Sequence, residues 1–230
     1  MIADNIKLVL RKIDAKCAEI GRNSNKIKLI AVSKNFSTDD INRAFDAGLK
    51  EFGENKAQEL NSKFDVLGNK VTWHFIGHLQ SNKVKFAVRS AEYIHSVDSL
   101  SLVKEINKKS EQFSKVQKIL LQVKTSEEET KSGIESEDEV FGFVDRCNEL
   151  SNIELIGLMT IAPYTDDDEE IRKSFKYLCK LRDDLNKKGF KNIKELSMGM
   201  TSDFEIAIEE GATMLRIGSA IFGQRNYSKN

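Results

Sequence analysis

Short apolar runs alternate with amphipathic stretches along this chain so regularly that few folds remain open to it. Eight runs read as strands, at 28–33, 50–53, 72–76, 93–97, 117–123, 153–159, 193–198 and 213–217. Helical periodicity fills the intervals near 38–48, 55–67, 80–89, 99–112, 135–150, 168–188 and 202–210. A further helix near 2–21 opens the chain, with Ile6, Val9, Leu10, Ile13, Cys17 and Ile20 on one face. Start signals such as Thr38-Asp39-Asp40 and Thr201-Ser202-Asp203 support these assignments, and Gly48 and Gly211 suit helix ends. Strands alternating with helices predict a parallel sheet covered by helices, an α/β fold. Eight such units in 230 residues match a (β/α)8 TIM barrel, a fold usually built from roughly 250 residues. An open doubly wound sheet is the structural alternative. No linker, repeat or low-complexity stretch divides the sequence, so a single domain over 1–230 is expected.

Charge narrows the functions. The 36 basic and 36 acidic residues cancel, which argues against a nucleic-acid or anionic-membrane binder, whose affinity rests on excess positive charge. No apolar segment is long enough to span a bilayer, and no secretory signal is visible at the N-terminus. Cys17, Cys147 and Cys179 are scattered and odd in number, which fits a reducing compartment and a cytoplasmic protein. The histidines are His74, His78 and His95. The first two have an i, i+4 spacing, but His74 falls in a strand-like run, so no metal site is expected.

Barrel chemistry sits at the C-terminal ends of strands, and those ends are distinctive here. The first closes on Ser33-Lys34-Asn35, an unusual place for a charge. A partly buried lysine tends to lose its proton, and a neutral amine forms a Schiff base with an aldehyde. The seventh runs into Ser197-Met198-Gly199-Met200-Thr201 and the eighth into Arg216-Ile217-Gly218-Ser219. Ser197, Thr201 and Ser219 offer hydroxyls, and Gly218 allows close backbone approach. The loops after strands seven and eight are the usual phosphate site of such barrels. Ordinary turn chemistry is the plainer reading of either segment alone. Together with Lys34 they point to pyridoxal 5′-phosphate (PLP), an aldehyde with a phosphate handle. Arg216 facing the pyridine nitrogen would disfavour its protonation and weaken the ring as an electron sink. A rim arginine paired with Glu205 or another carboxylate is the alternative.

These residues carry a resemblance to the pyridoxal phosphate homeostasis protein family, related to the N-terminal barrel of alanine racemase. It runs from about Ile27 to Arg225. The matching stretches are Ala31-Val32-Ser33-Lys34, Phe52-Gly53-Glu54-Asn55, the run from Trp73 to Lys83, Gly157-Leu158-Met159-Thr160-Ile161, Ser197-Met198-Gly199-Met200 and the run from Arg216 to Gly223. The resemblance implies an alanine-racemase-like barrel with PLP as an imine on Lys34. It implies phosphate contacts at Ser197, Thr201, Gly218 and Ser219, Arg216 at the pyridine nitrogen and Asn55 near the ring. The chain departs from the family at Ser37, where proline is common, at Lys56, where an aromatic is frequent, and at Thr201, where serine is usual.

The resemblance also bears on catalysis. Alanine racemases add a second domain whose tyrosine acts as a base, and the chain ends at Asn230, soon after the eighth strand. Racemisation needs a proton-transfer group on each face of the substrate carbon. Lys34 serves one face, while Tyr93, Tyr164, Tyr177 and the near-terminal Tyr227 show no paired feature for the other. A non-catalytic, monomeric cytoplasmic protein is therefore expected, with no catalytic residues, holding PLP and delivering it to apo-enzymes. A PLP-dependent amino-acid racemase and a cofactor-free Schiff-base aldolase are the rival readings.

Overall fold

The computed structural model describes residues 1–126, 128 and 131–223. Tyr227, Arg225 and part of the acidic stretch after Ser126 lie outside the described residues. Eight parallel strands close into a barrel in sequence order: β1 (Lys28–Val32), β2 (Glu51–Glu54), β3 (Thr72–Phe75), β4 (Tyr93–Val97), β5 (Gln117–Gln122), β6 (Ile153–Met159), β7 (Glu195–Ser197) and β8 (Met214–Ile217). β8 returns to β1, with Ile30 opposite Arg216. The open doubly wound alternative is thereby excluded, and the chain folds as a TIM barrel.

Nine α-helices accompany the strands among the described residues: α1 (Ile2–Glu19), α2 (Thr38–Asp46), α3 (Ala57–Leu67), α4 (Val84–Ser90), α5 (Leu100–Gln112), α6 (Glu137–Asn148), α7 (Asp168–Lys187), α8 (Phe204–Glu209) and α9 (Ser219–Phe222). Most follow the sequence reading with boundaries moved by one to four residues. α4 begins late because Ser81–Lys83 forms a single 3-10 turn ahead of it. α9 is absent from that reading, since four residues are too short to show a helical period. Ser37, one of the departures from the family, caps α2: its hydroxyl accepts from the Asp40 N–H, and Asp40 accepts from Ser37 in return.

Strand alternation sorts side chains into two layers. Outward-facing Phe52, Trp73, Phe75, Ile94, Leu196 and Leu215 join the helices in the main core. Inward-facing Ile30, Leu120, Ile156, Met159 and Met214 fill the barrel. On the inner side of β2, a Cβ at Gly53 would come within 3.0 Å of Ile30 and Ile76. α1 packs beside α8, α9 and α2, covering the junction where the barrel closes. Asn5 Nδ2 donates to the Ile221 carbonyl of α9 at 2.9 Å.

Candidate cofactor site

A cavity of about 480 Å³ opens at the C-terminal rim, within the size range of small-molecule sites, roughly 300–1,000 Å³. Lys34, Asn55, Thr201, Arg216, Gly218 and Ser219 line it together with the apolar Val32, Ile76 and Ile161. Six of the seven residues singled out in the sequence thus meet on one opening, Arg216 from β8 itself and the others from the segments that follow β1, β2, β7 and β8.

The loop bearing Lys34 is gripped on both sides. Ser33 donates from Oγ to Glu54 Oε1 at 2.5 Å, and Lys63 Nζ donates to the Ser33 carbonyl at 2.8 Å. Asn35 adopts a left-handed φ of 65°, which asparagine tolerates better than most residues. Its N–H donates to Glu59 Oε1 at 2.6 Å. Lys63 Nζ joins both carboxylates, at 2.7 Å from Glu54 and 2.8 Å from Glu59. Phe36 stacks on Phe222 of α9 with ring centroids 4.8 Å apart, tying the lysine loop to the end of the barrel.

On the opposite wall, Gly199 has a φ of 91°, and a Cβ there would lie 2.6 Å from Ala207 Cβ, so glycine is required. The Gly199 carbonyl accepts from the Arg216 N–H at 2.9 Å, joining the loop after β7 to β8. Thr201 and Ser219 then face each other, with Ser219 Oγ donating to Thr201 Oγ1 at 3.2 Å.

Arg216 lies almost fully buried beneath this opening. Its Nη1 donates to Ser197 Oγ at 2.7 Å and its Nη2 to the Thr160 carbonyl at 2.8 Å. Burial pulls its pKa down to about 10, partly offset by Asp203, and the guanidinium stays cationic at neutral pH. No carboxylate forms an ion pair with it among the described residues, and Glu205 pairs instead with Lys12 at 3.7 Å.

Ser197 departs from the expected phosphate contact. It is the last residue of β7, buried with its side chain inside the barrel, does not line the cavity, and bonds to Arg216 and to His95 Nδ1 at 2.8 Å. A strand residue pointing into the barrel below the rim meets barrel side chains rather than a ligand at the mouth. The sequence reading also passed over Lys63, Glu54 and Glu59, and the pair His74 and His95. The i, i+4 pair of His74 and His78 does not form: His74 is buried against His95 and Glu51. Among the described residues no group of three or more His, Cys, Asp or Glu side chains gathers to hold a metal ion.

The residues fit PLP on the structure's own terms. A partly buried lysine and a cationic arginine share one cavity. The Asn55 Oδ1 atom is buried in its wall without a hydrogen-bond partner, a cost relieved only by a donor. Paired hydroxyls and the first turn of α9 sit where barrels bind phosphate.

Fold and cavity together define a lysine-bearing TIM barrel with a pair of hydroxyls at its rim. The chain belongs to the alanine racemase N-terminal domain family, which matches residues 8–226, and within it to the pyridoxal phosphate homeostasis proteins. The pyridoxal phosphate homeostasis protein of Aquifex aeolicus is 41% identical over 227 residues, covering 97% of this chain and 98% of that protein. PipY of Synechococcus elongatus, in its structure with PLP bound, is 32% identical and superposes with a TM-score of 0.84 over 97% of this chain and 100% of that one. Alanine racemase of Clostridium difficile shares the fold at a TM-score of 0.76 and 16% identity, with 98% of this chain matching 58% of the racemase.

Proposed function

We propose that this chain binds PLP through Lys34 and manages the supply of the cofactor without turning over amino acids. The observation that carries the reading is the single cavity in which Lys34, Arg216 and the Thr201–Ser219 hydroxyl pair converge. The name of the Aquifex relative and the PLP in the PipY structure support it. Lys34 supplies the amine, Thr201, Gly218 and Ser219 the phosphate contacts, and Asn55 a buried carbonyl oxygen beside the ring. When bound, PLP supplies an aldehyde for a lysine and a ring that withdraws electrons from an amino-acid carbon. Arg216 opposes the second property, because its positive charge disfavours a protonated ring nitrogen. The exposed Ser219 and partly exposed Lys34 leave the site open to water, which suits handing over an intact cofactor better than carbanion chemistry. On this reading apo-enzymes are the recipients, and a cytoplasmic setting agrees with the unpaired Cys17, Cys147 and Cys179.

The test incubates PLP-loaded protein with L- and D-amino acids in deuterium oxide. No exchange of the α-proton is expected, together with activation of an added apo-enzyme. Rapid exchange that disappears in Lys34→Ala would instead establish the racemase reading. A purified protein that takes up no yellow cofactor would leave the aldolase reading.

The phosphate cup makes a separate prediction. Ser219→Ala and Thr201→Ala should each weaken PLP by about one to two decades, the worth of a hydrogen bond to a charged group. Unphosphorylated pyridoxal should be far less affected. Equal losses for both ligands would mean that the substitutions disturb the rim as a whole.

A further inference from the structure

Four hydrogen bonds run through the inside of the barrel from the cofactor cavity to its far end. Arg216 Nη1 reaches Ser197 Oγ at 2.7 Å, and Ser197 Oγ lies 2.8 Å from His95 Nδ1. His95 Nε2 lies 2.9 Å from His74 Nδ1, and His74 Nε2 lies 2.7 Å from Glu51 Oε2. Ser197, His95 and His74 are fully shielded from solvent. Glu51 opens β2 and so sits at the N-terminal rim, with its side chain 26% exposed. Tyr93 stacks on His74 at 4.5 Å and carries Lys28 and Lys118 on its ring, closing that rim.

The two ends dictate the direction of every bond between them. A guanidinium only donates and an ionised carboxylate only accepts. Glu51 therefore requires the hydrogen of His74 on Nε2, which leaves Nδ1 as an acceptor. His95 must then donate from Nε2 and accept at Nδ1. The Ser197 hydroxyl donates to His95 and accepts from Arg216. With both rings neutral, this assignment satisfies all four contacts. A proton added to His74 would set its Nδ1–H against the His95 Nε2–H, and one added to His95 would set its Nδ1–H against the hydrogen that Ser197 donates. Burial likewise pushes both imidazoles below their ordinary pKa, His95 the further because His74 and Arg216 add to the effect.

We propose that Glu51, His74, His95 and Ser197 form a one-way hydrogen-bond relay that sets the position of Arg216 from the opposite end of the barrel. They are positioning residues: none but Arg216 lines the cavity. The relay occupies one N–H of Nη1, and the Thr160 carbonyl occupies one of Nη2, which fixes the plane of the guanidinium. This rests on the PLP reading, in which Arg216 faces the ring nitrogen.

Two measurements decide it. Ring-nitrogen NMR on the full, ligand-free chain at neutral pH should show His74 and His95 both protonated at Nε2 and bare at Nδ1. Either ring found protonated at Nδ1 would overturn the relay. The second measurement compares PLP with its 1-deaza analogue, which has carbon in place of the ring nitrogen. Wild-type protein should prefer PLP by about tenfold or more, the worth of one such hydrogen bond, and Arg216→Lys should lose the preference. Glu51→Ala removes the acceptor for His74 and should lose most of it, as should Ser197→Ala. Glu51→Gln removes the same charge but keeps a carbonyl acceptor, and should restore it. Equal preference in Glu51→Ala and wild type would reduce the relay to barrel filling and overturn its positioning role. A wild-type chain without the preference counts against Arg216 at the ring nitrogen, while the NMR result still decides the relay itself.

Discussion

Lys34→Ala is expected to abolish the imine absorbance of the PLP-loaded protein and every trace of covalent label. Lys34 lies near the start of the loop after β1, partly exposed in the cavity wall, so its truncation creates no void in the core. The fold should therefore survive, and only the amine is lost. Borohydride reduction followed by peptide mass mapping should place a pyridoxyl group on the peptide that contains Lys34 in the wild type and nowhere in the variant. Lys34→Arg sharpens the test, because it keeps a positive charge but offers no nucleophile near neutral pH. Thr201, Ser219 and Arg216 remain in both variants, so weak non-covalent binding should persist and phosphate should still be favoured. Label recovered only on another lysine would sink the assignment of Lys34. Unchanged absorbance in both variants would do the same.

The barrel was legible in the sequence because parallel strands, buried on both faces, read as apolar runs, and amphipathic helices must intervene. The rim was legible because glycines, hydroxyls and single charges cluster where those runs end, at Lys34, Thr201 and Ser219. Depth within the barrel was not. Ser197 and Thr201 look alike in sequence, yet Ser197 lies below Arg216 and Thr201 lines the mouth. The chain Glu51, His74, His95, Ser197 and Arg216 is spread over five strands, and no local pattern joins such residues. Strand alternation alone does place His74 and His95 on the inner side of neighbouring β3 and β4, the one clue that was available. Lys63 was hidden for another reason. On an amphipathic helix a lysine ordinarily belongs to the solvated face, and the buried Glu54 on β2, with the Ser33 carbonyl and Glu59, draws this one inward.

That buried lysine carries the second large effect. Lys63→Ala should destabilise the protein by about 3–5 kcal/mol, the usual cost of removing one partner of a buried ion pair. In a chain of this size that corresponds to a fall of roughly 6–20 °C in the unfolding midpoint. Lys63 is nearly buried and Glu54 wholly so, and Glu54 Oε2 already lacks a partner. Without Lys63 the carboxylate keeps only the Ser33 hydroxyl. The pH dependence gives the mechanism a signature. Burial already pushes the Glu54 carboxyl above the ordinary glutamate range, against the pull of Lys63 and Ser33, and losing Lys63 raises it further. A raised acid is best tolerated protonated, so the variant loses stability as pH rises through the folded-state value. Glu59 adds to the same trend. Burial pushes it up, but bonds from Lys63 and the Asn35 N–H outweigh that and hold it below the ordinary value of about 4.3. In the wild type that contribution is present above this value and lost as pH falls through the folded-state value, and Lys63→Ala weakens it. Both carboxylates therefore predict a gap between wild type and variant that is wide at pH 8 and narrows towards pH 4, read from thermal unfolding. Glu54→Gln combined with Lys63→Met should recover most of the loss, since apolar or neutral replacement of both partners is often near-neutral. A gap that is constant with pH would rule out the ion cluster as the cause. Because Glu59 also anchors Asn35, Lys63→Ala should slow the reaction of Lys34 with PLP even at temperatures where the variant stays folded.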